Sequence, residues 1–552
     1  MKLPRPTNLL FLFPVLLLGL QFLRLNHWII DDAAISFSYA RSLASGDGLV
    51  LQPGADPVEG YSNPLWVLLL SAIMTLRAFD PVVVPKLLGF AFVSVSMWWV
   101  FRGMSDRGLR TSVTTTLALC LIALSPGVVI WSASGLENGL LIFTATASAM
   151  LCISAAEKGG VNSKASFGAG AFAGACALTR PDGLVFVGAA LASAFLLRWT
   201  SPTPPSSKAA ARSVGLTGLG ALAIGLPYLI FRIAYFGDTL PNTYYAKGGP
   251  GTEQIVRTLL GTPWLFEKLE SLGGAIIENN RGVILFVAHT ALLATAILES
   301  KRAPLLITLS IFCVFSGVAY ILLPYDWMPE YRFASAWMFF FFASGAVALT
   351  ELLDLLQWRA ATLAACVAIA GALAYANQSL ARISRFAQSP TISVSEVVER
   401  GDQFRDCGDL ISLERPALLT ADIGGLAYSN EVKVIDLGML CDRRIARQLG
   451  EWRTDPDRKA FHDYILGERR PDFIATRAYH SWLADFDGDP RFRELYEPIF
   501  EYEDQWIANR YGKKAYSGDY VRRDLINGDT LSKMRQRSEN APYPGCLKRE
   551  PY

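Results

Sequence analysis

Two adjacent carboxylates, Asp31 and Asp32, open a polar stretch between two apolar segments, and another, Glu59, stands near its end. The stretch reads Ile30-Asp31-Asp32-Ala33-Ala34-Ile35-Ser36-Phe37, passes through Tyr39-Ala40-Arg41 and Gly46-Asp47-Gly48, and closes on Glu59-Gly60-Tyr61-Ser62-Asn63-Pro64-Leu65-Trp66. Acidic side chains where a helix leaves a bilayer are costly to keep and usually functional. A carboxylate there can remove a proton from an incoming hydroxyl. Four later loops add further polar groups: Ser134-Gly135-Leu136-Glu137, Thr179-Arg180-Pro181-Asp182-Gly183, Pro241-Asn242-Thr243-Tyr244-Tyr245-Ala246-Lys247 and Asp326-Trp327-Met328-Pro329-Glu330-Tyr331-Arg332. Arg180, Lys247 and Arg332 suit a departing phosphate, on which negative charge develops. Glu59, Asn63, Glu137, Asn242 and Asp326 suit substrate hydroxyls, and Tyr61, Tyr244, Tyr245 and Trp327 suit a sugar face or a lipid tail. The set fits one reaction, attack of a hydroxyl on a membrane-soluble donor activated by phosphate.

Each residue also has a plainer role. Asp31 and Asp32 can cap the helix that follows them, although one Asp is enough for a cap. Glu59 can pair with Arg41, and Glu137 and Asp182 can be structural partners of the cations. Asp326 is a second base, a sugar ligand or a salt bridge to Arg332. Basic residues at helix ends can snorkel to the interface, and aromatic rings, Trp66 among them, gather at membrane interfaces in general.

The elements that must position these groups are mostly apolar. The 552 residues are 52% hydrophobic and only 18% charged, against about 25% charged in a typical soluble domain. Residues 391–552 hold 25 Lys+Arg and 29 Asp+Glu, and residues 1–390 hold the remaining 26 and 20. A membrane part over 1–390, with its first outer loop at 28–63, and a polar domain over 391–552 are therefore expected. Net charge is +2 with no dense basic run, which argues against a nucleic-acid binder. Lys2 and Arg5 precede the apolar run 9–25, which reads as a first transmembrane helix with a cytoplasmic N-terminus. Further spans are expected near 82–101, 112–131, 138–155, 165–179, 182–198, 213–236, 281–298, 304–323, 333–353 and 360–377, about 11 in all. Basic residues then alternate so that the polar motifs and the C-terminal domain share the outer side. The run 64–76 breaks that alternation if it crosses, so it reads as re-entrant or interfacial, or else one later segment does not cross. The stretch 255–269 is amphipathic and reads as a surface helix or an ordinary connector.

In the polar domain 417–421, 433–437, 472–476 and 520–523 read as strands alternating with helices, a small α/β layer. Asp422, Asp436 and Asp442 stand near strand ends, where ligands or plain turn chemistry are both possible. Cys407, Cys441 and Cys546 allow one disulfide, 407–441 or 441–546, if this domain is extracytoplasmic. With four His and no CxxC pair, a structural zinc site is not expected.

The order Asp-Asp-Ala-x-Ile-Ser-x-x-Tyr-Ala, then Glu-Gly-Tyr-Ser-Asn-Pro-Leu-Trp, resembles the first outer loop of GT-C membrane glycosyltransferases that use polyprenyl-phosphate sugars. The pattern is similar to that of the group containing the mycobacterial terminal arabinofuranosyltransferases. Ser134–Glu137, Arg180–Gly183, Pro241–Lys247, Asp326–Arg332, Asp422-Ile423-Gly424 and Ile435-Asp436-Leu437-Gly438 follow in that group's order. The resemblance implies a bacterial plasma-membrane enzyme of polytopic α-helical GT-C type with a C-terminal extracytoplasmic α/β domain. It implies inverting transfer of a sugar, arabinofuranose being one candidate, to a cell-envelope glycan, lipid or protein hydroxyl. No metal or other cofactor is implied. Asp31 would be the general base, with Asp32 orienting substrate or sharing that role. Two other classes compete: a lipid or sugar transporter or flippase, and a non-catalytic polysaccharide-binding scaffold. Transporters place charges near the bilayer midplane on broken helices, often in matching halves. Here the polar motifs gather at one side and no halves match.

Overall fold

Uncharged apolar runs without helix breakers become helices, because a buried backbone must satisfy its own hydrogen bonds. The computed structural model describes residues 6–104, 109–157, 162–197, 206–247, 262–276, 289–290, 292–294, 303–324, 326–450, 456–512 and 514–540. Among them six helices are long and apolar enough to cross a membrane: Val83–Met104, Asn138–Ala156, Ser207–Phe236, Pro304–Leu322, Arg332–Leu355 and Trp358–Gln388. The expected segment 112–131 is not one straight helix. Leu109–Leu124 and Pro126–Ala133 meet at a bend of 58°. Ser125 is extended there (φ −67°, ψ 117°), the conformation a following proline imposes. Asn8–Arg24, Pro64–Thr75 and Pro181–Leu196 are shorter apolar helices. The 12 residues of Pro64–Thr75 reach about 18 Å, short of a hydrocarbon core of about 30 Å. Most of 281–298, and 255–261, lie outside the described residues; helix Thr262–Gly274 covers the rest of the amphipathic stretch.

Small residues let helices approach closely. A Cβ on Gly170 would lie 1.8 Å from the carbonyl oxygen of Thr217, so helix Ser163–Thr179 meets helix Ser207–Phe236 backbone to backbone.

The C-terminal part carries a five-stranded sheet of β1 (Ala417–Thr420), β2 (Lys433–Asp436), β3 (Phe473–Thr476), β4 (Tyr496–Glu503) and β5 (Tyr516–Arg522), in the order β2-β1-β3-β5-β4. β1 runs parallel to β2 and β3, and β5 is antiparallel to β3 and β4. β4 is the strand the sequence pattern hides. Glu497, Glu501 and Glu503 break its apolar signal, and Pro498 is tolerated only because β4 is an edge strand with an irregularity between Pro498 and Phe500. Cys407 and Cys441 are free thiols, so a 407–441 disulfide is not formed. Cys407 lies in the core between the sheet and helix Val394–Asp409, while Cys441 packs against the helical bundle. Cys546 lies outside the described residues.

Hydrogen bonds join the C-terminal part to the first loop. Ile30 bridges Ser393, the Asp31 amide donates to Ile392 O at 3.2 Å, and the Val394 amide donates to Ile29 O at 3.0 Å. Trp28 Nε1 donates to Thr391 O at 2.9 Å. Gln52 donates to Val432 O and accepts from the Val434 amide, and Arg41 donates to the carbonyls of Ala427 and Tyr428.

Candidate active site

Helix Asp31–Ser45 begins where the helical bundle meets the sheet, with both aspartates in its first turn. Their surroundings differ. Asp31 is buried, and its carboxylate accepts from the Gly425 amide at 2.6 Å and the Gly424 amide at 3.0 Å. It therefore caps helix Gly424–Ser429 of the C-terminal part, not the helix it begins. Burial and the Asp422 charge hold its carboxyl well above the usual range, against the pull of the two amides. Asp32 is half-buried. Burial raises its pKa, Lys247 and Arg332 oppose that rise, and Asp326 and Asp422 add to it.

The cations arrive from three loops. Arg180 is buried and donates to Glu137 Oε1 at 2.9 Å and Asp182 Oδ1 at 3.0 Å. Arg332 donates through Nε to Asp326 Oδ2 at 2.7 Å. Both guanidinium groups lie over the ring of Phe333, 4.8 and 4.7 Å from its centroid. Such contacts strengthen when desolvated. Lys247 ends helix Asn242–Lys247 and is exposed; among the described residues no carboxylate lies at salt-bridge distance from it. Two consecutive residues with positive φ, Glu330 at 57° and Tyr331 at 54°, turn the chain into Arg332. Non-glycine residues in that region cost of order 1–3 kcal/mol each. Glu330 is held there by Arg382 at 2.9 Å. Beside this turn is a cavity of about 380 Å³, whose lining includes Lys268, Tyr320, Asp326, Tyr331, Arg332 and Arg382.

A hydrogen-bonded line joins the acid helix to the cations. Ser36, one turn after Asp32, donates to Asn63 Oδ1 at 3.1 Å, and Asn63 Nδ2 donates to Glu137 Oε2 at 2.7 Å. Glu137 then accepts from Arg180. Asn138, the next residue, donates to Arg332 O at 3.1 Å and Ser335 Oγ at 2.9 Å, which ties this loop to the Arg332 turn.

The other expected site residues face elsewhere. Glu59 is 2% exposed and pairs with Arg232, not Arg41: Nε to Oε2 is 2.5 Å, and Tyr228 donates to Oε1 at 2.7 Å. Tyr61 is buried, its hydroxyl 3.2 Å from that of Tyr228. Asn242 donates to the carbonyls of Met439 and Leu440, at 3.0 and 2.8 Å. Tyr245 lies under the Arg447 guanidinium. Trp66 is buried, with Nε1 bonded to Gly135 O at 3.1 Å. Tyr244 and Trp327 remain exposed, at 37% and 52%.

The sheet adds groups to the same seam. Asp422 follows β1 and accepts from Arg400 at 2.9 Å. His480 lies in helix Ala478–Ala484, which follows β3; burial pushes its imidazole down, and the Asp422 charge opposes this. His480, Phe333 and Arg232 escape the sequence reading. Only Arg232 leaves a signal, a charge inside an apolar run. Asp442 caps helix Arg443–Leu449, with the Arg444 and Ile445 amides at 2.9 and 3.0 Å. Asp436 accepts from the Cys441 amide at 2.6 Å, and burial lifts its pKa to about 7.

No protein-family model matches the chain. A curated relative, the terminal β-(1→2)-arabinofuranosyltransferase of Mycobacterium tuberculosis, is 31% identical over 240 residues, 41% of this chain and 36% of that protein. The match thus spans about a third of the relative's length. The archaeal oligosaccharyltransferase AglB of Archaeoglobus fulgidus, solved with an inhibitory peptide and a dolichol-phosphate, superposes with TM-score 0.55 at 13% identity, covering 96% of this chain and 77% of that one. ArnT of Cupriavidus metallidurans, solved with undecaprenyl phosphate, gives TM-score 0.51 at 13% identity, covering 95% of this chain and 100% of that one. The chain has the GT-C fold, a polytopic helical membrane body followed by a small C-terminal sheet.

Proposed function

We propose that this chain is a membrane glycosyltransferase that moves a sugar from a polyprenyl-phosphate donor to a hydroxyl of a cell-envelope glycan, lipid or protein. One observation carries the reading: Asp32, half-buried, shares its surroundings with Lys247 and Arg332, while Arg332 and Arg180 share the ring of Phe333. The acceptor oxygen attacks the anomeric carbon from the face opposite the phosphate, so the configuration inverts. Its proton passes to Asp32. The bond from the anomeric carbon to the phosphate oxygen breaks, and the lipid phosphate leaves with one more negative charge, which the cations stabilise. Arabinofuranose is the candidate sugar, supported by the partial match to the mycobacterial enzyme. The dolichol- and undecaprenyl-phosphate bound to the two structural neighbours support a polyprenyl-phosphate donor. Membrane lipid surrounds the body, the N-terminus is cytoplasmic, and the C-terminal sheet stands on the outer face of a bacterial plasma membrane.

The test is transfer from a radiolabelled polyprenyl-phosphate sugar by the full chain in vesicles. Asp32→Asn should lower turnover about 1,000-fold. A base works only when ionised, and the Asp32 pKa is raised. The acid limb of kcat/KM should therefore lie above the ordinary carboxylate range and vanish in the variant. Full turnover in Asp32→Asn would remove the mechanism.

A further inference from the structure

We propose that Asp31 is a positioning residue, not the base: its carboxylate holds the first turn of helix Gly424–Ser429 and so fixes the segment that carries Asp422. The inference rests on the transfer reading above, with Asp32 as base. Both Asp31 oxygens are already occupied by the amides of Gly424 and Gly425. A base must be reached by the acceptor, and this carboxylate is buried, 4% exposed, against the first turn of helix Gly424–Ser429. The partners can be nothing larger than glycine. A Cβ on Gly424 would lie 2.0 Å from Asp31 O, and one on Gly425 would lie 2.6 Å from Val394 O.

Asp422 stands two residues before the anchored turn, and Arg400 holds one of its oxygens at 2.9 Å. Its side chain is 41% exposed. The charged groups around Asp32 are thus Lys247 from helix Asn242–Lys247, Arg332 and Asp326 from the turn before Ser335, and Asp422 from the end of β1. Those around Asp31 are Asp422 and Asp32. His480, after the neighbouring strand β3, also senses Asp422. Of the groups around Asp32, only Asp422 is placed by the Asp31 anchor, and its negative charge makes Asp32 a stronger base.

The vesicle assay separates the roles. Asp31→Asn should lower kcat about 100-fold through misplacement, leave KM nearly unchanged, and move the acid limb to lower pH as Asp422 withdraws from Asp32. Gly424→Ala should reproduce both effects, and the double variant should be no worse than either single, since one contact is broken twice. Asp422→Asn leaves the anchor intact and should shift the limb in the same direction, which covers the case in which the anchor variants fail to fold. The anchor has its own readout: amide exchange at Gly424 and Gly425 should quicken in Asp31→Asn and not in Asp32→Asn. Unchanged exchange in Asp31→Asn, or an unshifted limb in Asp422→Asn, overturns the inference. Loss of turnover in Asp31→Asn at every pH, as complete as in Asp32→Asn, overturns it too. Turnover surviving in Asp32→Asn while exchange quickens in Asp31→Asn would sink the transfer mechanism alone.

Discussion

The first loop holds two kinds of carboxylate. At its far end Glu59 is closed off: Arg232 and Tyr228 fill its oxygens, and its backbone carbonyl accepts from the Asn242 amide at 3.0 Å. At its start Asp32 has cations nearby but, among the described residues, no bonded partner: Lys247 and Arg332 act on it through space, and Arg332 is bonded to Asp326 instead. A saturated carboxylate fixes geometry. One that is desolvated but unsaturated retains a lone pair for chemistry. Asp31 belongs to the first kind despite standing next to Asp32.

Four experiments would break or sharpen that contrast. The largest effect is expected at Asp32, where Asn should cost about 1,000-fold in turnover, equivalent to about 4 kcal/mol of barrier, with folding unchanged by circular dichroism. At the saturated end the loss should be of stability instead. Arg232→Ala leaves a buried carboxylate unpaired and should destabilise by about 3–5 kcal/mol, read as a lower melting temperature. The Glu59→Gln/Arg232→Met pair should recover much of it. Turnover lost with stability intact would place Glu59 among the reacting groups. Lys247→Ala should fall between, about 100-fold in kcat/KM at unchanged melting temperature, with the residual activity less sensitive to salt. Trp327→Ala should be the mildest, about 1 kcal/mol in donor binding, read as a KM change alone.

The sequence shows the apolar helices because their runs are long and mostly uncharged, and β1, β2 and β3 because short apolar runs are bordered by Asp. It conceals β4 because an edge strand can carry Pro498 and three glutamates. The bend at Ser125 was legible in Pro126, a proline inside an apolar run. Asp32, Arg180, Lys247 and Arg332 could be grouped by type and order, since each motif loop carries its own charge. Their pairings could not. Glu59 meets Arg232 across 173 positions, and Arg41, its nearer expected partner, is spent on backbone carbonyls of helix Gly424–Ser429. Phe333 carried no mark beyond its place after Arg332. A single histidine such as His480 says nothing until β3 sets it next to β1.

The clasp between Asp31 and the two glycines joins positions 393 apart. A ribosome adding about 5–20 residues each second delivers the acid roughly 20–80 s before its amides exist. During that interval the nascent chain already carries its apolar helices but lacks the amides that Asp31 holds. On the transfer mechanism proposed above, newly made chains stay inactive until synthesis has passed the first strands of the sheet.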